Sequence, residues 1–149
     1  MTPPGSTQTT ADLALAGELR LAVMRLARRL RRERAANNDR SLTQLATLST
    51  LEMHGEMTLK ELAAHEQVKP PSMTKIVACL EEEGLVTRTT DPTDGRQILV
   101  GLTKAATTLL KEDRKRRDLW LAQQLRALSP DEIETLRAAA PVLEKLRQQ

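Results

Sequence analysis

Aromatic residues are nearly missing from this 149-residue chain, which has one Trp and neither Phe nor Tyr. Its core must come from Leu, Ala, Val, Ile and Met, and because Leu and Ala favour helices, a mainly α fold with minor β-structure is expected. Cysteine is as scarce: Cys79 stands alone, which excludes an internal disulfide and fits a reducing compartment. The histidines His54 and His65 have no second cysteine or acid at ligand spacing, so no metal site is expected. No apolar run reaches the roughly 18 residues of a membrane span and no signal-peptide pattern opens the chain, which leads us to expect a cytoplasmic protein with no membrane partner. Also missing are a serine or cysteine nucleophile with a base at a recognisable spacing and a glycine loop that would cradle phosphate. These absences argue against an enzyme, and no cofactor is expected. The length suits one ordinary domain better than two.

What is present is basic. The formal charge is +3, the sequence pI is about 9.3 and arginine outnumbers lysine 16 to 7. Such an excess permits a polyanionic partner without demanding one. The placement of the charges matters more than their sum.

Residues 1–11 are rich in Pro, Thr, Ser and Gly and lack core-forming side chains, so they are expected to form a disordered arm. From Asp12 to about Ala36 the pattern is helical, with Leu19, Val23, Leu26 and Leu30 on one stripe and Leu13, Leu21 and Met24 on another. Two apolar stripes in so small a protein suggest that one face meets a second subunit. Asn37-Asn38-Asp39-Arg40 breaks the pattern. Three capping boxes then mark helix starts: Ser41-x-x-Gln44, Thr58-x-x-Glu61 and Ser129-x-x-Glu132. The first helix among these should end at Gly55 and the second near Ala64 or Glu66. Between them and the third, Lys69-Pro70-Pro71-Ser72 opens another helix, with proline tolerated in its first turn. Met73, Ile76, Val77 and Leu80 form its apolar face, and Gly84 falls where a glycine would end it. A long helix over about 104–127 has a charged middle, and Pro141 should kink or interrupt the last helix.

The stretch TDPTDGRQILVGLT, residues 90–103, reads as a hairpin. Asp-Pro and Asp-Gly form turns, Ile98, Val100 and Leu102 alternate at strand spacing, and residues 85–89 supply the preceding strand. A short helix, a tight turn, a second helix and a hairpin make a winged helix-turn-helix, whose second helix enters the DNA major groove. Ser72, Thr74 and Lys75 lie on the polar side of that helix. Its N-terminus should favour phosphate, and Lys75 suits guanine O6 and N7 or a phosphate. At the hairpin tip Arg96 suits a narrow minor groove. We expect Asp94 to hold it extended by an ion pair, and Gly95 to let the tip turn.

Taken together, Thr58-Leu59-x-Glu61-Leu62-Ala63, Lys75 to Gly84-Leu85-Val86-x-Arg88, and Asp91-Pro92-x-Asp94-x-Arg96 to Val100-x-Leu102-Thr103 resemble the MarR (multiple antibiotic resistance regulator) family of bacterial transcription factors. The similarity of layout extends from Asp12 onward. It implies a homodimer whose first and last helices intertwine, and a winged region that reads a palindromic double-stranded operator of about 16 to 20 base pairs. The domain plan it implies is an N-terminal dimerisation helix over 12–36, a DNA-binding region over 41–103 and C-terminal dimerisation helices over 104–149. Carried onto this sequence, the DNA-binding positions are Pro71, Ser72, Thr74 and Lys75 on the recognition helix, Asp94 and Arg96 on the wing, and Arg88 on the strand. The family further implies a repressor released by a small phenolic or lipophilic effector. Two departures stand out: Gly95 occupies the place of a second wing arginine, and Lys69 that of a capping serine.

Plainer readings stand beside these. Arg96 is otherwise a solvated turn arginine, and Ser72, Thr74 and Lys75 ordinary first-turn residues; the helix and hairpin occurring together favour DNA. The run Arg28 to Arg34 fits a helix C-terminus favoured by its dipole, and Cys79 fits a small buried apolar residue better than a redox sensor. Asp113, Arg114, Arg116, Arg117 and Asp118 suit either ion pairs between subunits or a solvated face. Met24, Leu45, Leu48 and Met53 suit a ligand crevice or simple core packing. The competing function is a winged-helix protein-interaction module without DNA binding, in which Lys75 and Arg96 would have no purpose.

Overall fold

The computed structural model describes residues 5–34 and 39–147. In chain order the elements are α1 (Gly5–Arg32), α2 (Leu42–His54), β1 (Met57–Thr58), α3 (Leu59–His65), α4 (Pro70–Glu82), β2 (Val86–Thr90), β3 (Ile98–Leu102), α5 (Lys104–Leu125) and α6 (Pro130–Arg147). The chain is mainly α with a small antiparallel sheet, as its composition led us to expect. It divides into two units, one within Ala35–Lys115 and one formed by the segments up to Arg34 and from Arg116 onward.

All three capping boxes form. The Gln44 N–H donates to Ser41 Oγ at 3.2 Å while the Ser41 N–H donates to Gln44 Oε1 at 2.8 Å. Thr58 with Glu61 and Ser129 with Glu132 repeat that reciprocal geometry. Two orphan donors are satisfied at each start, which is why these boundaries are sharp. Gly84, after the C-cap Glu83 of α4, has φ +72, and the Leu85 N–H reaches back to the Leu80 carbonyl at 2.9 Å. This left-handed closure favours glycine because a Cβ there is strained.

Other expectations need correction. Helix α1 begins at Gly5 rather than Asp12: Thr, Ser and Gln cost well under about 1 kcal/mol each in a helix, so a helix nucleated by the leucine-rich stretch extends backward cheaply. The arm's residues 1–4, and Asn37 and Asn38 of the expected break, lie outside the described residues. Pro141 sits inside α6 without interrupting it, although it has no N–H to donate there. Strand β1 has only two residues, too few for any periodicity to reveal. It pairs with β3 through Met57↔Val100 and Thr58↔Leu99, giving the sheet order β1-β3-β2.

The winged unit has the buried core. Leu48, Leu62, Met73, Val77, Leu80 and Val100 are fully enclosed, each worth roughly 1.5–3 kcal/mol of apolar burial. Ala106, Leu109 and Leu110 from the start of α5 join this core, and the compact unit extends to Lys115. The other unit is different in kind. Helix α6 has no buried residue, and Leu13 at 68 %, Met24 at 54 % and Val142 at 55 % exposure leave long apolar faces open.

Candidate nucleic-acid interface

The burial of Met73, Val77 and Leu80 fixes the rotation of α4. With these side chains facing the core, Pro71, Ser72, Thr74 and Lys75 are all exposed. The start of this helix is unusual. Pro70 and Pro71 have no N–H, and the Ser72 N–H donates to the Lys69 carbonyl at 2.9 Å. The first three helical positions therefore present no free backbone donor, and the expectation of phosphate binding by helix N–H groups is corrected. Lys69 makes no side-chain cap, as its departure from a capping serine implies, and is exposed at the mouth of the helix. It restores there the positive charge that the prolines take from the backbone. The sequence signal for this residue was present, a cation where a cap belongs, but it reads first as a loss. Thr74 Oγ1 donates to the Pro70 carbonyl at 3.0 Å. That commits its proton and leaves lone pairs suited to accept from a base amino group.

The wing is built by its aspartates. Asp91 Oδ1 accepts from the Thr93 N–H at 2.8 Å and from Thr93 Oγ1 at 2.7 Å. Those bonds, the hydroxyl first, hold the Asp91 carboxyl below its ordinary value, with partial desolvation opposing. Asp94 Oδ1 accepts from the Arg96 backbone N–H at 3.1 Å, and the Asp94 carbonyl accepts from the Gln97 N–H at 3.0 Å. The expected Asp94–Arg96 side-chain ion pair is absent among the described residues: Asp94 shapes the turn, and the guanidinium is left to solvent. Nor does the tip need Gly95 for its shape, since its φ is not positive and a Cβ there meets open space. Lys75 and Arg96, on two different elements, are exposed and make no ion pair among the described residues.

Arg88 is placed differently from the other basic residues. It shares a strand face with the buried Val86, and its Nε lies 3.2 Å from Glu81 Oε2 at the end of α4. The contact is an ion pair without hydrogen-bond alignment, and Nε is buried. Arg88 is thus engaged by the protein through its Nε.

Cys79 is half-buried and polar-bonded, not simply an apolar filler. Gln44 Nε2 donates to its Sγ at 3.2 Å, and the thiol donates to Glu83 Oε1 at 3.5 Å. The bond to Glu83, burial and the Glu83 charge all raise its pKa, against the bond from Gln44. A raised pKa suppresses the thiolate and with it the nucleophile a redox sensor needs. Among the four crevice candidates, Leu48 is fully buried in the winged-helix core and so is a framework residue. Leu45 is half-buried, while Met53 at 75 % and Met24 at 54 % are exposed. An open cavity of about 360 Å³ occurs elsewhere, lined by Arg40, Leu85, Ala105, Thr108, Leu109 and Glu112. The charged stretch of α5 is partly internal: Arg114 bonds Glu52 at 2.8 Å within the protomer, and Asp113 is buried, so it does not lie on a solvated face. In the basic run of α1, Arg29 pairs with Glu33 and lies 4.5 Å from the Trp120 ring centroid, a structural role. No described helix is long and apolar enough to cross a membrane, and no metal-ligand cluster occurs among the described residues.

An exposed recognition helix and a hairpin that presents an exposed arginine on a small antiparallel sheet define a winged helix-turn-helix DNA-binding protein. The MarR family profile matches residues 41–98. An uncharacterised HTH-type transcriptional regulator of Mycobacterium bovis is 44 % identical over 133 residues, 89 % of this chain and 92 % of that protein. The HTH-type transcriptional repressor MdtR of Bacillus subtilis is 31 % identical over 70 % of this chain and 66 % of its own length. A crystal structure of a Pseudomonas aeruginosa protein, described as a transcriptional regulator, superposes with a TM-score of 0.82 at 35 % identity, covering 93 % of this chain and 97 % of that one. The chain belongs to the MarR family of transcriptional regulators.

Proposed function

We propose that two copies of the chain pair through α1 and α6 and bind a palindromic operator as a repressor. In this reading α4 enters the major groove with Pro71, Ser72, Thr74 and Lys75 facing the bases and backbone, and the wing carries Arg96 to the minor groove. The observation that carries the reading is the pair of uncompensated cations, Lys75 and Arg96, on the two elements that would face a duplex. An interaction module freed from DNA has no use for unpaired charge at both places. The exposed apolar residues of α1 and α6 support pairing of two chains, since exposed apolar surface of this kind marks an interface. The repressor role agrees with the name of the Bacillus relative. Replacing Arg96 with Ala should weaken operator binding by about 1 to 3 kcal/mol and leave the dimer folded. A gel-shift titration in which the variant binds as tightly as the native chain would remove the wing from the interface.

An effector fits the cavity beside Leu85 better than the neighbourhood of Leu48. Its walls offer an apolar floor at Leu85, Ala105 and Leu109, and polar groups at Thr108, Glu112 and Arg40, which suits a small phenolic or lipophilic molecule. Filling it through Ala105→Trp should abolish effector-induced release while operator binding persists. Release of that variant at the same effector concentration as the native chain would place the effector elsewhere.

A further inference from the structure

The end of α4 carries Glu81 and Glu82 with Glu83 as its C-cap, and no basic residue lies in its last turn. That is the end of a helix where the macrodipole disfavours negative charge, and it belongs to the element that approaches a polyanion. Two of the three carboxylates have arginine partners from other segments. Glu83 pairs with Arg40, just before α2, and Glu81 with Arg88 on β2. The second pair joins the two elements that would touch DNA, because Arg88 belongs to the stem of the hairpin whose tip is Arg96.

We propose that Glu81 is a positioning residue for DNA recognition: through Arg88 it sets the angle of the wing against the recognition helix. The inference rests on the proposed placement of α4 and the wing on DNA. The stem is stiff, with five consecutive β2–β3 partners from Val86↔Leu102 to Thr90↔Ile98. An angle fixed at Arg88 is therefore carried outward to the tip. Three residue steps at roughly 3.3 Å each carry the stem from Arg88 to Asp91, where the turn begins, so a tilt of about 10° displaces the turn by about 2 Å. The minor groove is only about 6 Å wide, and such a displacement is enough to misplace Arg96. The ion pair engages Arg88 through Nε, which is buried, and so acts on the side chain from within the protein.

Strut and simple charge repulsion predict opposite signs. Removing a carboxylate beside DNA should tighten binding if only repulsion acts, and loosen it if Glu81 holds the wing. The test uses the full chain and a duplex that the chain itself recovers from a random pool, with affinity read by fluorescence anisotropy at fixed salt. Glu81→Gln should bind about threefold to tenfold more weakly, with an unchanged unfolding midpoint because a half-exposed pair adds little stability. Arg96→Ala, costing about tenfold or more in the native chain, should cost less than about threefold in the Glu81→Gln background, a coupling that loss of stability alone does not produce. The exchanged pair Glu81→Arg with Arg88→Glu should recover most of the affinity. Binding by Glu81→Gln that is equal or tighter, an undiminished Arg96→Ala penalty in that background, or no recovery in the exchanged pair overturns the strut. Recovery of no duplex, or a native Arg96→Ala variant with full affinity, overturns the placement on DNA and the strut with it.

Discussion

At the scale of single residues, Gly95 and Asp94 show how a turn can be assembled without the residue that sequence reasoning assigns to it. The aspartate bonds the backbone N–H of Arg96, so the chain turns by an Asx bond and the glycine has no conformational duty there. Open space around its Cα means that a side chain at this position is tolerated and points into solvent at the wing tip. Gly95→Arg should therefore tighten operator binding, by up to about tenfold, and steepen its salt dependence by about one phosphate equivalent. Paired salt titrations of native and variant chains give both quantities. An unchanged slope would mean that the tip does not approach the duplex. Thr74 offers the complementary case: its hydroxyl proton is committed to the Pro70 carbonyl, so in the proposed complex it would accept a hydrogen bond from a base.

At the scale of elements, the hairpin depends on ionised Asp91. Its folded pKa is depressed by the two bonds from Thr93. The stabilisation is therefore fully present above the ordinary carboxylate value of 3.8 and is lost as pH falls through the lower folded value. An NMR titration should show the Asp91 carboxyl and the Thr93 amide changing together below that point, with Asp91→Asn abolishing the step; a carboxyl titrating at or above 3.8 contradicts the account.

Elements were legible in the sequence where local chemistry fixes them. Ser41, Thr58 and Ser129 announced their helices because a capping box is complete within four residues, and Gly84 announced the end of α4. Strand β1 was not legible, because two residues have no period and its partner Val100 is far along the chain. The start of α1 was misread for another reason: weak propensities do not stop a helix that is already growing. In the candidate site, the exposure of Lys75 and Arg96 was readable from position alone. The engagement of Arg88 by Glu81, and the loss of free N–H groups at the start of α4, required the fold.

At the scale of the whole molecule, the two units divide the work. The winged unit is closed, with its large apolar side chains enclosed, while α1 and α6 leave apolar faces that a single chain does not cover. A second copy supplies that cover in the proposed assembly, and two-fold pairing then requires a binding site that repeats with the same symmetry. Selection of duplexes from a random pool by the full chain, followed by sequencing, tests this most directly. The account predicts an inverted repeat whose half-site centres lie about one helical turn, roughly 10 base pairs, apart. A recovered pool without an inverted repeat, or no enrichment at all, would contradict it.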